Sequence, residues 1–176
     1  RHNQAIMDFG ALQCVPHSPD CLACPLAEGC EAFRRGCVGA LPVKQHKTQV
    51  TNRFFNYIYV RMGAYTFINK RQGNDIWRNL FEFPLIETDS EVSPQEFATL
   101  PQVRELLHAD DVDVPFKLVR RGVKHVLSHR VIYANFYEIS LSEASLSFSK
   151  FKRILISEIE DYPVSRLMHA FIEKYV

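Results

Sequence analysis

The sequence predicts an α+β chain: a mixed sheet with packed helices, preceded by a small helical segment that carries cysteines. Three observations predict it. Four of the five cysteines lie within 17 residues, Cys14 to Cys30. From about residue 52 onward, aromatic and β-branched runs are separated by turn signals. Near the C-terminus, Val164, Leu167, Met168, Phe171, Ile172 and Tyr175 form an apolar stripe at helical spacing, which needs a sheet to pack on.

The chain has 176 residues, 47% of them apolar and 23% charged, with 9 Pro and 7 Gly. These are globular proportions and exclude disorder, collagen-like repeats and coiled coil. No apolar run is long enough for a membrane-spanning helix. The opening Arg1-His2-Asn3-Gln4 is no signal peptide and reads as the middle of a helix, so a piece of a longer protein is expected. Net charge is +1, but its distribution is uneven. Eight bases and no acids lie between Ala32 and Arg71; eight acids and one base between Ile86 and Asp113; five bases and no acids between Val114 and Arg130. Such blocks predict one side facing a polyanion and one facing solvent.

Taken in order, Asn3 to Leu12 reads as a helix with Ala5, Ile6, Phe9 and Leu12 along one side. The cysteines follow as C-x6-C-x2-C-x5-C: Cys14, Cys21, Cys24 and Cys30. A secreted disulfide scaffold would spread its cysteines, whereas four thiolates on one short loop suit a metal centre. Pro16, Pro19 and Pro25 keep the intervening backbone out of helix. One short gap between two longer ones fits an iron–sulfur cluster; a structural zinc, which usually takes two close pairs, is the alternative. Cys37 is left over as a free thiol. Val38 to Thr48 is a linker with Gly, Pro and basic residues. Phe54–Arg61 and Ala64–Asn69 read as a hairpin around Met62-Gly63, and Ile76–Pro84 as a compact apolar block. Ser93-Pro94-Gln95-Glu96 starts a helix, with Ser as cap and Glu three residues on. Lys117–Leu127 and Arg130–Ser140 are strands around a tight turn; Phe151–Ile156 is another strand.

Asn3-Gln4-Ala5-Ile6-Met7-Asp8-Phe9-Gly10-Ala11, followed by the four-cysteine spacing, resembles the last helix and cluster loop of the endonuclease III superfamily. In particular it is similar to the adenine DNA glycosylases of the MutY family. The resemblance implies a [4Fe–4S] cluster on Cys14, Cys21, Cys24 and Cys30 that takes no redox step in base removal. The loop Val15 to Asp20 lacks the Lys or Arg that family members often carry there.

The element order after residue 52 resembles the Nudix fold. An active Nudix hydrolase needs G-x5-E-x7-R-E-U-x-E-E-x-G-U, whose acids collect Mg²⁺ and activate water. In the register of Gly73, Asn79 stands where Glu is required and Glu87 where Arg is required. Arg104-Glu105-Leu106 is followed by Leu107-His108-Ala109, not by paired acids. A Nudix-like shell without its acids is what the MutY family carries at its C-terminus, where it reads 8-oxoguanine opposite the target adenine. Asp75 to Pro84 is similar to the corresponding family segment. The family's Phe-Ser-His reading turn stands here as Leu127-Ser128-His129. Arg120, Arg121, Lys124 and Arg130 around it, and Lys44 and Lys47 in the linker, are candidate contacts to DNA phosphates.

The resemblance therefore implies three parts: 1–31, the last helix and cluster loop of a catalytic domain; 32–51, a basic linker; and 52–176, a Nudix-like lesion-recognition domain. The expected parent removes adenine mispaired with 8-oxoguanine in double-stranded DNA. No catalytic acid is assigned in this chain, which is expected to bind but not excise. The rival expectation is a zinc-stapled nucleic-acid or protein binding module unrelated to repair. A cytoplasmic monomer is expected, since metal-binding thiols without an export signal suit a reducing compartment.

Overall fold

The computed structural model describes residues 2–41, 43, 49–108, 111 and 113–176. The chain divides into two compact units, Arg1–Thr48 and Gln49–Val176. Among the described residues, no helix is long and apolar enough to cross a membrane.

In the first unit α1 spans His2–Leu12 and α2 spans Glu31–Arg34, with a 3-10 turn at Val38–Ala40. α1 ends where the amides of both Gln13 and Cys14 donate to the Phe9 carbonyl. Of its apolar side, Phe9 is half-buried while Ile6 and Leu12 are exposed.

The second unit begins with β1 (Thr51–Arg61), β2 (Tyr65–Lys70), β3 (Phe81–Glu82) and β4 (Leu85–Thr88). Two short helices follow, α3 (Pro94–Thr99) and α4 (Pro101–Leu106). Then come β5 (Lys117–Val126), β6 (Arg130–Ser140), β7 (Lys152–Leu155), a 3-10 helix (Ile156–Asp161) and α5 (Arg166–Tyr175). One sheet has the order β4-β1-β6-β5, the other β3-β2-β7. β1 and β6 run parallel, from Thr51 opposite Arg130 to Arg61 opposite Ser140.

The expected hairpin of the first two strands is not what forms. β1 and β2 meet only at the Met62–Tyr65 bridge and then enter different sheets. Gly63 turns the chain there at φ +58, and a Cβ at that position would lie 2.2 Å from Glu143 Oε1. The partner that β1 takes instead is β6.

Six consecutive residues of β1, Phe55 to Val60, are buried, because both faces of the sheet are covered. Phe55, Tyr57 and Tyr59 belong to the core beneath α5, whereas Ile58 and Val60 belong to the core beneath α3 and α4. β6 repeats the alternation with its aromatics. Phe136 stacks on Phe171 of α5 with centroids 4.2 Å apart, and Tyr137 stacks on Phe97 of α3 at 4.0 Å. The stripe read from the sequence is seated as expected: Leu167, Met168, Phe171 and Ile172 are all buried.

A chain of side-chain amides crosses the first sheet. The Gly122 amide donates to Asn135 Oδ1 at 2.8 Å, Asn135 Nδ2 donates to Asn56 Oδ1 at 3.0 Å, and Asn56 Nδ2 donates to the Ile86 carbonyl at 3.2 Å. Asn56 and Asn135 are buried and face each other in the parallel ladder. A slip of one residue would leave both amides unpaired in the core, so the pair holds the register.

Candidate nucleic-acid interface

Leu127-Ser128-His129-Arg130 closes the β5–β6 hairpin. The Leu127 amide donates to the Arg130 carbonyl at 2.8 Å, and the His129 carbonyl accepts from the Thr51 amide at 3.2 Å. β1 thus braces the turn from the side opposite β5. Leu127 is half-buried and packs on the main core, whereas Ser128 and His129 are exposed. The turn forms one wall of a cavity of about 560 Å³, and Asn74 to Trp77 form the other.

The second wall is fixed by ions. The Asp75 carboxylate accepts two hydrogen bonds from Arg53, at 2.9 and 2.7 Å, one from Arg71 at 2.8 Å, and one from Arg130. Arg53 also makes a two-pronged pair with Glu87, both bonds 2.6 Å. Arg71 shares its Nη1 between both Glu82 carboxylate oxygens, at 2.8 and 2.9 Å, and its Nε donates to the Ile76 carbonyl at 3.0 Å. Burial works against the Asp75 charge, yet hydrogen bonds from Arg53, the Ile76 backbone and Arg130 prevail and hold its carboxyl well below the usual carboxylate range. Bonds to Glu87 and Asp75 hold Arg53 protonated more firmly than a free guanidinium. Burial pushes the Glu82 carboxyl up, and Arg71 pulls it back. Three arginines meet three carboxylates, so the wall is rigid and close to neutral.

Trp77 adopts φ +59, a conformation that bulky residues rarely adopt, and Asn79 φ +69, where Asn is tolerated. The surrounding bonds hold them there: Asn79 donates to the Arg71 carbonyl at 2.8 Å, and Leu80 to that of Trp77 at 3.0 Å. The indole lies edge-on to His125 with centroids 5.6 Å apart and edge-on to Phe55 at 6.2 Å.

The other candidate cations are placed differently. Arg121 pairs with Glu91 at 2.9 Å, Arg120 lies over the Tyr175 ring at 5.8 Å, and Lys124 is exposed. Arg130 donates from Nη1 to Asp75 and is part-exposed. Lys44 and Lys47 lie outside the described residues. Sequence reasoning placed Trp77 in the apolar block Ile76–Pro84 and Asp75 only at the head of the family-like segment Asp75–Pro84, and gave neither a role in the site. Asp75 carried a usable signal, being the one acid between the bases at Arg71 and Arg78.

In the first unit Cys14, Cys21, Cys24 and Cys30 line a single cavity of about 460 Å³, together with Pro16 and Pro19. Cys37 is not among its lining residues. Backbone bonds shape the loop: Cys24 donates to the Cys21 carbonyl at 3.4 Å and Cys30 to that of Ala27 at 3.1 Å. The Asp20 carboxylate caps the turn by accepting from the Ala23 amide at 3.1 Å. Desolvation, then the nearby Cys30, Cys24 and Cys14, push the Cys21 thiol up. Among the described residues, no three His, Cys, Asp or Glu side chains stand so as to hold one metal ion. The donor set, four cysteines around one cavity, suits an iron–sulfur cluster or a structural zinc.

Comparison with known proteins adds three findings. The profile of the NUDIX domain matches residues 56–174. Over 155 residues the chain is 25% identical to an adenine DNA glycosylase of Buchnera aphidicola subsp. Baizongia pistaciae, covering 88% of this chain and 41% of that protein. Over 86 residues it is 35% identical to that of subsp. Schizaphis graminum, covering 49% of this chain and 25% of that protein. The chain thus spans well under half the length of these relatives. A crystal structure of the complex between the C-terminal domain of mouse MUTYH and human PCNA superposes with a TM-score of 0.54 at 15% identity, covering 70% of this chain and 86% of that one. At that identity the match establishes a shared fold.

Proposed function

The chain belongs to the NUDIX domain family, and from that membership, with adenine DNA glycosylases as its relatives, we propose that it is the lesion-reading part of such a glycosylase. Its substrate surface is double-stranded DNA in which 8-oxoguanine faces adenine. The observation that carries this reading is the exposed Ser128-His129 turn at the lip of the 560 Å³ cavity, braced by β1 on one side and faced by the Asp75-anchored wall on the other.

The chemistry follows from the changed base edge. Guanine N7 only accepts hydrogen bonds. Oxidation at C8 makes N7 a donor and adds an acceptor at O8. The Ser128 hydroxyl both donates and accepts, so it answers either group. His129 supplies a second donor or acceptor beside it. Leu127, anchored in the core, keeps the turn from sinking or swinging and offers an apolar edge, not an inserted ring. The Nudix acids are missing from the sequence, so the fold serves here as a reader.

Cys14, Cys21, Cys24 and Cys30 would hold a [4Fe–4S] cluster, which when bound cross-links the loop that carries them. The parent enzyme would remove the adenine; this chain is assigned no catalytic residue and is expected to bind without excising. Titration against an 8-oxoguanine:adenine duplex and a guanine:adenine duplex tests the reading. Tighter binding to the oxidised duplex is expected, and equal affinity overturns it.

A further inference from the structure

We infer that Lys70 and Lys152 form a phosphate-binding pair that continues the DNA surface beyond the reading turn. The inference rests on the proposed reading and adds to it a surface on the second sheet.

Topology places the two lysines. β1 and β6 are parallel, so Thr51 and Arg130 lie at one end of the domain, with the turn. β2 runs back from the Met62–Tyr65 bridge and finishes at that same end. Lys70 is its last residue, and the next one, Arg71, shares Asp75 with Arg53 and Arg130. β7 is antiparallel to β2, with its first residue, Lys152, opposite Ile68. Both lysines therefore stand at the end of the domain that carries the cavity.

Their setting differs from that of two of the cations near the turn. Arg121 and Arg130 are paired with carboxylates. Among the described residues neither Lys70 nor Lys152 has a carboxylate within 4.0 Å, and both are exposed. They rest on rings instead. The Lys70 and Lys152 ammonium groups each lie 5.9 Å from the Phe81 centroid, and that of Lys152 lies 4.6 Å from the Tyr162 centroid. Phe81 and Tyr162 meet edge to face at 5.0 Å, which makes the platform firm. A ring orients an ammonium group but leaves its charge uncancelled and its N–H donors free. Orienting two long side chains in advance lowers the entropy lost when they meet a phosphate. Two such groups against one ring suit a single stretch of phosphodiester backbone, which positions without reading sequence.

The test is salt-dependent binding of the full chain to the oxidised and plain duplexes. Lys70→Ala and Lys152→Ala should each reduce the slope of log affinity against log salt by about 0.9 and weaken both duplexes by the same factor. Lys70→Arg and Lys152→Arg should keep the wild-type slope. Lys117→Ala, at the far end of β5 opposite Glu138, should leave it unchanged. Wild-type slopes in both alanine variants would overturn the inference and leave the lesion reading standing. Failure of the wild-type chain to bind any duplex at low salt would overturn both.

Discussion

Trp77 and His125 join the two walls of the cavity: the indole of one and the imidazole of the other lie edge to face, with centroids 5.6 Å apart. Trp77 belongs to the ion-anchored segment and His125 to the strand that leads into the Leu127–Arg130 turn. The contact sets the spacing between Asp75 and Ser128 without either touching the other. Trp77→Ala should therefore loosen the cavity and reduce discrimination between oxidised and plain duplex, while the domain stays folded by circular dichroism. Unchanged discrimination would separate the indole from the site.

Ser128→Ala should remove about 1–3 kcal/mol of preference for 8-oxoguanine over guanine, the range for one good base-edge contact. Affinity for plain duplex should be unaltered. Equal loss on both duplexes would make the turn a phosphate contact.

Asp75→Asn leaves Arg53, Arg71 and Arg130 around a neutral amide. A loss of about 2–3 kcal/mol is expected, since charged hydrogen bonds are broken in a part-buried site. Urea denaturation of variant and wild type measures it.

The same carboxyl governs acid stability. Folded Asp75 holds its proton less tightly than an unfolded Asp at about 3.9, so the unfolded chain protonates first as pH falls. The stabilisation from Asp75 is complete above about pH 5 and is lost progressively on acidification toward the depressed folded value. The stability gap between wild type and Asp75→Asn should narrow over that descent. A constant gap in acid-titrated urea melts would contradict the assignment.

Metal content tests the cysteine loop. Anaerobically purified chain should be brown and carry about four irons. Cys21→Ser should lose the colour, and Cys37→Ser should keep it, since Cys37 does not line the cavity. Colourless protein with one zinc would favour the rival binding module.

Much of this fold was legible in local patterns. Ser93 and Glu96 make the reciprocal cap their spacing announced: the Glu96 amide donates to Ser93 Oγ at 3.2 Å and the Ser93 amide to Glu96 Oε2 at 2.8 Å. The stripe from Val164 to Tyr175 and the strands on either side of Ser128-His129 were legible for the same reason, since their periods repeat over a few residues. What stayed hidden depends on distant partners. β1 pairs with β6, not with its neighbour β2, and parallel pairing leaves no turn signature between its strands. Asp75 looked like an ordinary polar residue at the edge of an apolar block, because two of its three arginines come from 22 and 55 residues away. Its role is a property of the assembled strand ends.

The Asn56–Asn135 bond spans 79 residues, as does every rung of the ladder that contains it. Contacts so remote in the chain close late, because a long loop must be gathered before they are made. The hairpin that bears Ser128 can zip early, but its brace at Thr51 belongs to that late ladder. A nascent chain halted between the two would carry a formed but unsupported tip, braced only with the last step of folding.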